Sequence, residues 1–228
     1  MLISILFNGD GFSWALLAGY LVAALINIFL SLPVHECAHG FVAYKLGDPT
    51  AKYQGRLSLN PLKHIDYLGA VMILLVGFGW AKPVEVDMRR FKNPKTGMAL
   101  TALAGPVSNL LLALIALFIA NILNYVFPGY GNNTATTVMI FAITVLFFIA
   151  QINVSLAVFN LIPIPPLDGS RILNAFLPDR IYYLLMRYER YTFIAIFALV
   201  YLFDDVLGGV SNRIVSFLSW LTALPFAA

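Results

Sequence analysis

Charge is what this sequence lacks most. Asp, Glu, Lys and Arg make up 11% of its 228 residues, against roughly 25% in an ordinary soluble domain. From Thr96 to Leu167, 72 consecutive positions carry no Asp, Glu, Lys, Arg or His. A water-soluble fold of this length could not hide a chain that is 61% hydrophobic, so the composition excludes that class and points to a membrane protein. Cysteine is nearly absent as well, and the single Cys37 rules out an intrachain disulfide framework. No basic residue precedes the first apolar run and no small-residue cleavage site follows it, which argues against a cleavable signal peptide. Internal repeats, low-complexity tracts and flexible linkers are missing too. Nothing points to a nucleic-acid partner.

What is present is long and apolar. The uncharged stretch is broken by Pro128, Gly129, Gly131, Asn132 and Asn133, and reads as two transmembrane helices, about 97–124 and 135–161. Each exceeds the ~20 residues that a bilayer core requires. A third run, about 12–34, leads into His35, and a fourth, about 191–207, ends at Asp204 and Asp205. The run 67–80 is too short for an ordinary span and reads as a re-entrant segment covered by other helices. The tail, about 214–228, fits either a short span or an interfacial helix. Residues 179–190 place Ile181, Leu184, Leu185 and Tyr188 on one face and Arg180, Arg187 and Arg190 largely opposite, as an interfacial amphipathic helix does. The expectation is an all-α polytopic membrane protein with a re-entrant segment and small β elements. It would form one membrane-embedded domain over 1–228, with a core at about 12–177 and a C-terminal part at 178–228.

Positive residues cluster after the first run (Lys45, Lys52, Arg56, Lys63), before the second (Lys82, Arg89, Arg90, Lys92, Lys95) and after the third (Arg171, Arg180, Arg187, Arg190). The positive-inside rule then puts the N-terminus outside and these segments in the cytoplasm.

Val34-His35-Glu36-Cys37-Ala38-His39-Gly40 contains His-Glu-x-x-His. Residues four apart on a helix share a face, so His35 and His39 can reach one metal ion. Glu36 stands beside them, in place to contact a water on that metal. Zinc suits two neutral imidazoles and a carboxylate, lowers the water's pKa toward ~7 and polarises a carbonyl. Glu36 would take the water's proton and pass it to the leaving amine. Two of the chain's three histidines are spent on this pattern, inside an apolar helix where ionisable groups are costly and functional by default. Pro33 is expected to kink the helix just before the site. The third ligand should be an acid at similar depth. Asp168 is the first charge after the uncharged stretch and follows a stiff Pro-rich approach, although it could instead cap a helix starting at Gly169. Asp48 and Asp66 sit among Lys-bearing loop residues and fit less well.

Three separated motifs resemble, in order, those of the site-2 proteases, which are intramembrane zinc metalloproteases. They are His35-Glu36-x-x-His39, Ala104-Gly105-Pro106-x-x-Asn109, and Asn160-x-x-Pro163-x-Pro165-Pro166-Leu167-Asp168-Gly169. The likeness extends to 55–66 and 79–84 and covers about residues 30–175. It implies one zinc ion held by His35, His39 and Asp168, Glu36 as catalytic base, and cleavage of transmembrane substrates already trimmed by another protease. It also implies the compact prokaryotic subgroup without PDZ or CBS domains, in the cell membrane, with the site toward the cytoplasm.

Asn109 reads either as glue between helices or as a group near the catalytic water or substrate. Asn160 is similar, and the family motif turns it toward substrate or oxyanion contact. His64 reads as a structural interfacial histidine, and Cys37 faces away from the ligand pair. Alternation in 53–59 and 80–87 suggests strands. An unwound substrate helix could add to one of them, through the region of Lys82 and Val84. The rival readings are a membrane zincin acting on soluble or lipidated peptides at the cytoplasmic surface, a zinc transporter or sensor, and an inactive relative that binds membrane proteins.

Overall fold

The computed structural model describes residues 13–76, 79–127, 134–178 and 202–226. The amphipathic segment 179–190 and most of the run 191–207 lie outside the described residues. The first long helix comprises α1 (Trp14–Ile26), a π-helical turn (Asn27–Ser31) and α2 (Leu32–Lys45) without a break. A short α3 (Thr50–Tyr53) and α4 (Tyr67–Val76) follow, then the long α5 (Pro94–Val126) and α6 (Thr134–Asn160). The last elements are α7 (Asp168–Asn174) and α8 (Asp204–Ala223). Three of these helices, Trp14–Lys45, Pro94–Val126 and Thr134–Asn160, are long and apolar enough to cross a membrane. The chain is an all-α polytopic membrane protein.

Local chemistry explains the element bounds. Ser13 accepts a hydrogen bond from the Leu16 N–H and so caps α1. Pro94 opens α5, where its missing N–H costs nothing. Pro33 does not end the first helix; it lies in the first turn of α2, just after the π turn. The expected small β elements do not form: among the described residues there is no strand. Residues 53–59 hold the end of α3 and turns, and 80–87 form no helix, strand or turn. Residues 214–223 of the tail belong to α8, which starts ten residues before the expected segment and packs on α5 and α6.

Two apolar clusters hold the bundle. Tyr20, Ala23, Ala24, Ile28 and Leu32 pack with Ile73 of α4 and with Ile152 and Leu156 of α6. Ala113, Ala116 and Leu117 of α5 pack with Ala150 and Val154 of α6 and Val215 of α8. Alanine at these contacts lets backbones approach closely, which is what drives helix association in lipid. Leu111, Ile115, Phe118, Val138, Ile140 and Phe147 point outward, where acyl chains would cover them. The ten-residue α4 rises only about 15 Å, half a bilayer core. The Tyr20 hydroxyl donates to the Ile73 carbonyl at 2.7 Å and ties α4 to α1.

Polar groups join the turn before α4 to the segment after it. His64 is fully buried, and its Nε2–H donates to the Ser58 carbonyl at 2.7 Å. Its own carbonyl accepts from the Lys82 N–H at 2.7 Å. This is the structural role expected of it. Burial pushes the imidazole below its ordinary pKa, and Nδ1 has no acceptor for a second proton. The unfolded chain therefore takes up a proton before the folded one as pH falls below about 6.5. Stability from neutral His64 is complete above that pH and is lost as pH drops toward the folded value. His64→Gln should unfold with a shallower decline between about pH 7 and 5 than the wild type in metal-free micelles. Parallel curves would sink this account.

Candidate metal centre

The α2 helix brings His35 and His39 to one face, one turn apart, as their spacing predicts. Asp168 reaches them from α7, just beyond the end of α6. Gly169 makes that return possible: a Cβ there would collide with the Leu161 carbonyl. Asp168 is the first residue of α7, and its side chain makes no cap hydrogen bond. Its carboxylate goes to the histidines instead. Asp168 Oδ2 lies 3.3 Å from His35 Nε2 and 3.2 Å from His39 Nε2, and the two Nε2 atoms are 3.0 Å apart.

The two N–O distances lie at or just under the span of a shared ion, and the Nε2 pair is about 0.3 Å short of it. A tetrahedral zinc with N and O ligands at about 2.0–2.2 Å needs its ligand atoms roughly 3.3–3.5 Å apart. The donor set of two imidazoles and one carboxylate is also a zinc set with room for a fourth ligand. All three residues are buried, and they form the one such cluster among the described residues. His39 Nδ1 lies 2.7 Å from the Thr101 carbonyl, which fixes the proton there and turns the Nε2 lone pair inward. Burial disfavours charge on Asp168, but the adjacent imidazoles hold its carboxyl well below the usual carboxylate range.

Glu36 is buried beside the cluster, 7% exposed. Its Oε2 accepts the Val84 N–H at 2.9 Å. Val84 therefore meets the site through its backbone, while the Lys82 side chain is exposed and its N–H is spent on His64. The segment is pinned along its length. Arg56 donates to the Lys82 and Pro83 carbonyls, and the Asp87 N–H donates to Asp48 Oδ2 at 2.7 Å. Hydrogen bonding by Arg89 holds half-buried Asp87 down to about 2. Asp48 and Asp66 are structural: Asp48 also accepts from Thr50, and Asp66 from the Gly69 N–H. Asn160 spends one amide N–H on the Leu156 carbonyl of its own helix. Asn109 is fully buried, and neither of its side-chain polar atoms has a partner among the described residues. Cys37 is free and half-buried.

One contributor had no sequence signal of its own: the Thr101 carbonyl, since any backbone carbonyl could serve. Gly105 stands in the second motif, and a Cβ there would lie 2.5 Å from His35 Cε1 and from His39 Cε1 and Nε2. Beside the site, a cavity of about 600 Å³ is lined by 83–89 on one wall and by Pro165, Pro166, Ser170 and Arg171 on the other.

Comparison with known proteins agrees with this centre. The model of "Peptidase family M50" matches residues 23–203. "Putative zinc metalloprotease YwhC" of Bacillus subtilis is 43% identical over 180 residues, which cover 77% of this chain and 78% of that protein. "Putative zinc metalloprotease Rip2" of Mycolicibacterium smegmatis is 28% identical over 216 residues, 87% of this chain and 78% of that protein. "Putative zinc metalloprotease MJ0611" of Methanocaldococcus jannaschii is 30% identical over 158 residues, 67% and 70% respectively. No solved structure matches significantly.

Proposed function

The chain belongs to peptidase family M50, the site-2 protease family, and on that premise we propose that this zinc metalloendopeptidase hydrolyses peptide bonds of transmembrane segments near the cytoplasmic face. The observation that carries this reading is the convergence of His35, His39 and Asp168 within a membrane-spanning bundle, with Glu36 beside them. His35 and His39 through Nε2 and Asp168 through Oδ2 would hold one ion. Zinc there supplies Lewis acidity, lowering the pKa of water toward ~7 and polarising the scissile carbonyl. The Val84 N–H fixes Glu36 Oε2 and leaves Oε1 to take the proton of the attacking water and deliver it to the leaving amine. The basic segments around the site support a cytoplasmic placement.

A transmembrane helix must unwind before its carbonyls can react. The cavity beside the site supports an extended substrate lying along 84–86. Among the described residues, the backbone groups of Glu85 and Val86 have no hydrogen-bond partner, whereas the N–H groups of Lys82, Val84 and Asp87 have theirs. Val86→Pro should lower kcat/KM for a model transmembrane peptide about 2- to 10-fold, the effect of one lost hydrogen bond. Unchanged kcat/KM would reject this docking edge. The wider reading is tested by incubating purified protein with that peptide, with and without chelator. Cleavage of soluble peptides alone would overturn the transmembrane substrate class.

A further inference from the structure

The two histidines of the centre are not supported equally. His39 Nδ1 has the Thr101 carbonyl, but His35 Nδ1 is buried with no partner among the described residues. An imidazole that turns Nε2 to a metal carries its proton on Nδ1 and needs an acceptor there.

A polar layer lies one turn from His35, on the side away from Lys45. Ser31 precedes His35 by four residues and shares its face, and a helical side chain leans back toward that preceding turn. Across from it, Asn153 of α6 is fully buried. Its Nδ2 lies 2.6 Å from Asn27 Oδ1, 3.1 Å from Ser31 Oγ and 2.9 Å from the Ile149 carbonyl. Those acceptors fix the amide orientation, because a flip would turn Oδ1 onto the Asn27 and Ile149 oxygens. Asn153 Oδ1 is thereby left buried without a partner. The α5 helix adds to the layer. It packs Thr101 against His39 and Gly105 against both histidines, and continued along the helix this antiparallel run would carry Asn109 toward the level of Ser31. Both Asn109 side-chain polar atoms are buried and unpaired. At this level the chain makes its π-helical turn, Asn27–Ser31, a winding frequent at functional sites. Buried polar groups are almost always paired, and internal waters typically make about three hydrogen bonds to such groups.

We propose that Ser31, Asn109 and Asn153 enclose a buried water site behind His35, whose water accepts the His35 Nδ1 proton and donates to Asn153 Oδ1. Asn153 is then a positioning residue for the metal centre, and the site takes water as its ligand. The inference rests on the reading of His35 as a zinc ligand.

The test uses the full chain in micelles, with zinc affinity read by chelator competition and the ligand field read from the cobalt-loaded spectrum. Asn153→Leu should weaken zinc binding about 10- to 100-fold and shift the cobalt bands, as loss of a ligand's supporting partner does. Asn27→Ala removes one acceptor of the Asn153 amide but keeps Oδ1, and should stay within about threefold of wild type. Equal losses in both variants would show a mere packing lock and overturn the proposal, as would wild-type affinity in Asn153→Leu. Should Asn153→Leu fail to fold, the wild type decides. With three histidines in the chain, a 15N-histidine spectrum should show a water cross-peak at the His35 Nδ1 proton, and its absence overturns the site. A wild type that binds no zinc would sink the metal centre instead, and the cross-peak would still be read on the metal-free protein.

Discussion

Glu36→Gln is expected to keep zinc bound and to cut turnover of a transmembrane peptide by roughly 10²–10⁴-fold, the usual worth of a general base. Glutamine has the same shape, and its amide oxygen can still accept the Val84 N–H that Glu36 Oε2 accepts at 2.9 Å. The segment over the site therefore stays in place, and so do His35, His39 and Asp168, none of which bonds to Glu36. What the substitution removes is the second carboxylate oxygen and its ability to take a proton. KM should change little, because no substrate contact is lost, and the fall should appear in kcat. Metal analysis alongside peptide cleavage separates the outcomes. Equal turnover by variant and wild type would remove Glu36 from the chemistry. Loss of zinc would make it a ligand.

Much of this architecture is legible because its signals are local. The uncharged stretch gave helices at about 97–124 and 135–161, and the structure has Pro94–Val126 and Thr134–Asn160. The discrepancy at the first start is physical: charge marks where lipid ends, and α5 continues past that edge to include Lys95. The two histidines are legible for a similar reason, since spacing on one helix is a local property. Asp168 was visible as the first charge after 72 positions, but its contest with a capping role needed the fold to decide. Distant pairings were not legible. Alternation in 80–87 suggested a strand, yet these residues bond to Glu36, His64, Asp48 and Arg56, each reached through the fold and none forming a ladder. Asn27 and Asn153 carry no local signal beyond being polar residues in apolar helices. Their pairing across 126 residues appears only once α1 and α6 pack.

Gly105→Ala should weaken zinc binding on the order of 100-fold, the upper end for changes just outside the ligands. The argument is steric. The added methyl would stand 2.5 Å from the Cε1 atoms of both histidines and from His39 Nε2, and carbon atoms pack no closer than about 3.5 Å. The rings have little room to retreat. His39 is tethered by its 2.7 Å hydrogen bond to the Thr101 carbonyl, on the same helix as Gly105, and Asp168 closes on the other side at 3.2–3.3 Å. Relief must come from parting α2 and α5, which spreads the three ligand atoms beyond the span of one ion. Gly208→Ala is the matched control, because a Cβ there meets nothing within 4 Å. It makes the same chemical change in a helix of the same protein, and zinc affinity should be unaltered. Equal zinc affinity in Gly105→Ala and Gly208→Ala would mean that α2 and α5 are not held as closely as the site requires, and the packing account of the centre would fall.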